Sequence, residues 1–419
     1  MGTSRVLCTL TLALLVIGLA GCGDLPLPDF IIPQPSATAT VELAAISTPT
    51  PQQIPTPSAS PSPVPFPPQP GDFNKYAKAI VGYLNASQGD VDGLREMLKS
   101  WGTLRHVTHL LRVDADDDGQ GEFLITMVDP TAEYVTEIPG DLLVIDVDGE
   151  EYRLSYQAAS DRVVSDPALL EVDDLNGDGH TELAFSSTGC GAHTCTTTVY
   201  IVGSGLGAYD DLVNGGIEMT FAEVSFTDWD GDSVSELVIY GGIIGSVGAG
   251  PQRPRTEVYR WDGRTYALVE TIYDPSNYLY FKVLDANQAL LKGDYGTAAE
   301  LYQQAIENPN LEAWMGEYER EDLTAFSRYR LSLTYLVIGD ADAAKAVRDE
   351  MLKEQPDHIY AEVVTALWDA YLRDGDLRSA CDEVRGFASE HPATADVLAN
   401  YGYANPTFTT EEVCPISLF

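Results

Sequence analysis

Three nine-residue acidic segments recur along this chain, and each opens onto a run of β-type residues. They read Asp114-Ala-Asp116-Asp-Asp118-Gly119-Gln120-Gly-Glu122, Asp174-Leu-Asn176-Gly-Asp178-Gly179-His180-Thr-Glu182 and Asp228-Trp-Asp230-Gly-Asp232-Ser233-Val234-Ser-Glu236. Oxygen side chains at the first, third and fifth places, a turn residue at the sixth and a carboxylate at the ninth suit a hard cation. Ca²⁺ takes about six to eight oxygens at ~2.3–2.6 Å from a flexible cage, and the ligand predicted here is Ca²⁺. The seventh place contributes only a backbone carbonyl, which accounts for its free variation among Gln120, His180 and Val234. An EF-hand would carry a bidentate Glu at the twelfth place and helices on both sides. Ile125, Phe185 and Ile239 stand there instead, so the cation is expected between two strands. Ser233 replaces Gly at a place where a positive φ strains any residue with a Cβ, and the third loop is therefore the weakest site.

The first residues of the loops lie 60 and then 54 positions apart, which marks a structural repeat. Each unit continues into a second hairpin: Leu142 to Leu154, Val199 to Tyr209, and Val258 to Leu268. Four strands per unit give about twelve strands over residues 105–275, a blade-like arrangement. Upstream, Tyr76, Ile80, Tyr83 and Leu84 form one helical stripe and Leu94, Met97, Leu98 and Trp101 another, so residues 71–104 are expected to pack two short helices onto the sheet that follows. His106 and His109 have metal-like spacing only on a helix, and this β-rich stretch makes them structural. Gly203-Ser-Gly205-Leu-Gly207 opens no helix and is not a nucleotide loop. The glycine-rich stretch Ile244 to Pro251 is expected to be a mobile loop on the third unit, equally compatible with ligand contact and with plain slack.

A helical period replaces alternation over residues 279–419. Gly293-Asp294, Gly339-Asp340 and Gly375-Asp376 each separate two amphipathic stretches, followed by Ala298, Ala344 and Ala380. Gly allows a tight turn, and a small residue lets the second helix approach the first. The turns are 46 and then 36 residues apart, so an insertion or a longer helix is required near Leu311 to Arg320.

The N-terminus carries Arg5 and the apolar run Val6 to Leu19, too short to span a bilayer and suited to a signal peptide over residues 1–21. The run ends in Leu19-Ala20-Gly21-Cys22, which resembles a bacterial lipobox and implies lipidation of Cys22; plain cleavage after Ala20 or Gly21 is the alternative. Within residues 22–70, the stretch from 24 to 70 holds 14 of the 25 prolines and no Lys or Arg, a semi-rigid spacer of ~3.1 Å per residue. With Cys8 in the signal and Cys22 lipidated, Cys190, Cys195, Cys381 and Cys414 remain, an even number in an exported chain. Cys190 with Cys195 would close a hairpin tip, and Cys381 would tie Cys414 of the tail to the last helices. His193 lies between two cysteines, but three candidate ligands do not complete a zinc site.

The loops and the Asp-Gly hairpins together resemble the FG-GAP or VCBS repeats of integrin-type propellers and bacterial surface proteins. That resemblance covers about 170 residues. It implies calcium at Asp114, Asp116, Asp118 and Glu122 and at the matching residues of the other loops. Three units are too few for a seven-bladed ring, which leaves a partial propeller closed by helices or a simple β stack. The helical part resembles tetratricopeptide repeats through the Gly-Asp turns with Tyr302, Ala305, Leu331, Tyr335, Pro356, Leu367, Trp368, Tyr371 and Pro392. This second resemblance implies a protein or peptide partner. Arg348 and Met351 depart from its pattern.

A net charge of -40 excludes nucleic acid as a partner and limits membrane contact to a lipid anchor, because both polyanions need Lys and Arg. HExxH, GxSxG and P-loop motifs are absent from the sequence, so no catalytic residue is assigned. The expectation is an extracytoplasmic, membrane-anchored binding or scaffolding module. The alternative is a cell-wall glycan binder or glycan hydrolase using loop carboxylates.

Overall fold

The computed structural model describes residues 64–104, 110–116, 118–133, 136–205 and 208–418. The expected signal peptide, Cys22 and nearly all of the linker lie outside them, as do His106 and His109. Two helices come first, α1 (Tyr76–Ser87) and α2 (Val91–Trp101). Asp90 caps α2 by accepting from the Gly93 amide, and Gly102 ends it at φ 74°. Both apolar stripes bury against Phe123, Ile125, Leu143 and Ile145, as their spacing predicts.

Three antiparallel sheets follow. The first runs β1 (Leu110–Val113), β2 (Glu122–Val128), β3 (Gly140–Asp148), β4 (Glu151–Gln157). The second runs β5 (Ala168–Asp173), β6 (Glu182–Cys190), β7 (Cys195–Gly205), β8 (Ala208–Asp211), with β9 (Ile217–Thr220) also paired to β7. The third runs β10 (Glu223–Thr227), β11 (Glu236–Gly241), β12 (Arg255–Trp261), β13 (Tyr266–Tyr273).

Period-two alternation explains why the central strands are apolar throughout. In β2 and β3, Phe123, Ile125, Leu143 and Ile145 face the helices, whereas Leu124, Leu142 and Val144 meet Leu183, Phe185, Tyr200 and Val202 of the second sheet. Ala184, Val199 and Ile201 of that second sheet then meet Leu237 and Ile239 of the third. The sheets therefore stack face to face in chain order, each covering its neighbour, and among the described residues they do not close into a ring. Ala115 and Leu175, in the second place of loops one and two, are buried beneath the next sheet. Trp229, their counterpart in loop three, has no further sheet above it and is 44% exposed.

The helical region comprises α3 (Leu279–Leu291), α4 (Tyr295–Glu307), α5 (Glu317–Val337), α6 (Ala341–Glu354), α7 (Ile359–Asp374), α8 (Leu377–Glu390) and α9 (Ala393–Ala399). α3 packs on α4, α5 on α6 and α7 on α8. Gly293, Gly339 and Gly375 all take positive φ, and Ala298, Ala344 and Ala380 are fully buried where the paired helices approach. The insertion is resolved as a loop before α5 and as 21 residues in α5 itself. No described helix is long and apolar enough to cross a membrane.

Both disulfides form. Cys190–Cys195 closes the β6–β7 hairpin, and Cys381–Cys414 fixes the C-terminal tail to α8. The tail runs over α5, where the Tyr329 hydroxyl donates to the Val413 carbonyl at 2.8 Å and Phe326 meets Phe408 edge-on. The loop Ile244 to Pro251 departs from expectation, because its backbone is pinned to that tail. Tyr403 donates to the Gly248 carbonyl, Ala404 to that of Ala249, and the Asn405 amide to Ala249 and Pro251. This seam joins the third sheet to the helices.

The Asp after each turn Gly has a role that spacing alone did not reveal. Asp294, Asp340 and Asp376 cap α4, α6 and α8 by accepting backbone N–H groups. Asp340→Ala is expected to cost about 1 kcal/mol in urea denaturation. An unchanged midpoint would mean that α6 does not depend on its cap.

Candidate metal centre

Each acidic loop closes a hairpin in the same register: Val113 opposite Glu122, Asp173 opposite Glu182, and Thr227 opposite Glu236. The ninth-place Glu turns back and accepts the amide of the second-place residue, from Ala115 at 2.5 Å, Leu175 at 2.9 Å and Trp229 at 2.8 Å. The first-place Asp accepts the sixth-place amide, from Gly119 and Gly179 at 3.0 Å and Ser233 at 3.1 Å. Third-place oxygens accept the amides of Asp118, Asp178 and Asp232, and fifth-place oxygens those of Gln120, His180 and Val234. One loop conformation is thus built three times. Its sixth residue has φ near 86°, 88° and, at Ser233, 74°, so the strain expected of that serine is present.

The loops differ in what faces the second oxygen of the buried Glu. In loop three, Arg260 of β12 donates through Nε to Glu236 at 3.1 Å and pairs with Asp230 at 2.5 Å. In loop two, the Asn176 side-chain amide donates to Glu182 at 3.0 Å. In loop one no side chain among the described residues fills that role. Glu122 Oε1 and Asp114 Oδ1 are buried without a hydrogen-bond partner, and Asp114, Asp116, Asp118 and Glu122 each bring an oxygen within 4.8 Å of the others. Orphaned buried acceptors of this kind cost about 1–3 kcal/mol each, more when charged, so loop one fits a cation best. Asp228, Asp230 and Glu236 form a second such group, with Arg260 inside it and Asp232 outside it. At the seventh place, the Gln120 side chain donates to Val147 and Asp118, leaving its carbonyl as the group it offers a cation.

Electrostatics mark loops one and two alike. Burial pushes the Glu122 carboxyl up to about 7, and the nearby Asp116, Asp114 and Asp146 add to the rise. Asp146, from β3, was not singled out in the sequence, because it reaches the loop only through sheet pairing. Burial also raises Asp116, and raises Glu182 to about 7 with help from Asp178 and Asp174. A carboxyl raised in the folded state holds its proton more tightly there than in the unfolded chain. Its contribution to stability is therefore complete below the unfolded value near 4.5 and is lost as pH rises through about 7.

In chelator, stability is expected to fall between pH 5 and pH 7.5, and Glu122→Gln should flatten that fall by roughly 1–3 kcal/mol. Parallel denaturation curves for the variant and the parent at both pH values would sink this assignment. Comparison of the chain with protein-family models, curated proteins and solved structures finds no match in any of the three.

Proposed function

We propose that this chain is a bacterial lipoprotein anchored through Cys22 on the extracytoplasmic face, a scaffold of FG-GAP or VCBS type stapled by Ca²⁺, whose tetratricopeptide-like helices hold a protein partner. The single observation that carries the metal half is the pair of buried, unpartnered oxygens on Asp114 and Glu122 inside a loop built three times over. A cage of carboxylates with a backbone carbonyl suits Ca²⁺, whereas Mg²⁺ demands a tighter octahedron and retains its waters. Two disulfides accord with an oxidising compartment. For the partner half, the tail already covers parts of α5 and α8, so a partner would engage other faces of the helical array.

The test is denaturation of the full chain with calcium and with chelator. Extracellular calcium modules bind at Kd ~10⁻⁴–10⁻³ M, and tenfold excess over Kd gives about 1.4 kcal/mol per filled site. Calcium should stabilise the chain, and Asp114→Asn with Asp118→Asn should remove most of that gain. Equal stability with and without calcium would defeat the reading. Partner capture from the native envelope should disappear when residues 279–419 are removed, provided that the truncated chain retains its calcium response.

Arg260 gives a separate expectation. Arg260→Ala removes the guanidinium from Asp230 and Glu236 and should make the third loop a further calcium site. The variant is expected to be less stable than the parent in chelator and to gain more from millimolar calcium.

A further inference from the structure

A cavity of about 690 Å³ lies where the second and third sheets, α3, α5 and the C-terminal tail converge. That volume suits a drug-sized organic molecule. Apolar side chains line much of it, including Met219, Phe281, Leu284 and Phe408. None of the acidic-loop residues takes part.

Arg330 of α5 forms part of the wall and is only 2% exposed. Its guanidinium lies against the rings of Phe326 and Phe408, and it donates through Nη2 to the Glu412 carbonyl. Its Nε and Nη1 have no hydrogen-bond partner, and among the described residues no carboxylate forms an ion pair with it. The nearest acid in the tail does not help, because the Glu412 side chain accepts from the amide and hydroxyl of Thr409. The other arginines at the cavity are already matched: Arg253 makes a two-pronged pair with Asp285, and Arg255 bonds Glu257 at 2.5 Å. A buried cation without a counter-charge is strongly disfavoured, and although Glu218, Asp285 and Glu412 also line the cavity, none of them forms an ion pair with Arg330.

We propose that this cavity binds an amphiphilic organic carboxylate, its acid group meeting Arg330 and its apolar body lying on Phe281, Leu284 and Phe408. A single negative charge matches the single unpaired guanidinium. A phosphate dianion would meet twice the repulsion from Glu218, Asp285 and Glu412, which also line the cavity. The proposal stands apart from the calcium reading, and either can fail without the other.

The experiment is calorimetric titration of the full chain with 4-phenylbutyrate and decanoate, each against its matching alcohol. The acids should bind with Kd below about 1 mM, and the alcohols at least about tenfold more weakly, the increment of one charge-assisted hydrogen bond. A peptide ending in a free carboxylate, tested against its C-terminal amide, distinguishes a chain terminus from a free acid as the source. Arg330→Met should weaken acid binding at least about tenfold without lowering the melting temperature, since it removes an unpaired buried charge. Gln288→Trp, at an exposed position of α3 on the cavity rim, leaves Arg330 intact and should block entry. Absence of acid binding at 1 mM, equal binding of acids and alcohols, or full binding by Arg330→Met would overturn the proposal.

Discussion

A carboxylate folded back onto the amide seven residues before it sets the geometry of every β repeat. Glu122, Glu182 and Glu236 are almost wholly buried, and each gives one oxygen to that amide. The amide bond fixes the hairpin register, and the register decides which side chains of β2, β6 and β11 face which neighbouring sheet. The stack of three sheets depends on that alternation, since a slip of one residue would turn each apolar face outward. The remaining oxygen is the point of divergence. An amide meets it in loop two and a guanidinium in loop three, whereas in loop one it has no partner among the described residues. Loops with matching hydrogen bonds thus carry three solutions to one buried charge, and loop one leaves the most evident place for a cation.

Local features were legible in the sequence because local physics determines them. The nine-residue spacing marked the loops, strand alternation marked the three sheets although β9 makes the second one five-stranded, and the stripes from Tyr76 to Trp101 marked α1 and α2. Gly followed by Asp marked each helix pair, although the capping role of Asp294, Asp340 and Asp376 emerges only with the helix start in place. What escaped reading was contributed from afar. Arg260 reaches Glu236 from 24 residues away, and Asp146 lies near Glu122 through β2–β3 pairing. Asn405 pins the loop at Ala249 across 156 residues, which turned a stretch expected to be slack into a joint. Whether three blades form a ring or a stack likewise depends on sheet-to-sheet contacts that no short segment encodes.

Cations are scarce in this chain, and three of its arginines follow one rule. Arg162 pairs with Asp161 and lies 4.7 Å from the Tyr200 ring, beside the junction of the first two sheets. Arg253 couples the loop before β12 to Asp285 of α3 while stacking on Tyr273 and Phe281. Arg260 neutralises the third acidic loop. In each case a guanidinium meets carboxylates at a place where separate elements must be held together, and its planar fork suits that task better than a lysine. Arg330 breaks the rule. It is more deeply buried than any of these and lines the cavity beside α3 and the tail, yet among the described residues its charge meets only a backbone carbonyl and two aromatic rings. Rings and a carbonyl offset part of a desolvated charge but do not replace a counter-ion. A joint would be served by a tail carboxylate turned inward, and Glu412, whose carbonyl Arg330 already holds, could provide one but its side chain accepts from Thr409 instead. The charge at Arg330 is therefore better explained by what enters the cavity than by what holds the cavity together.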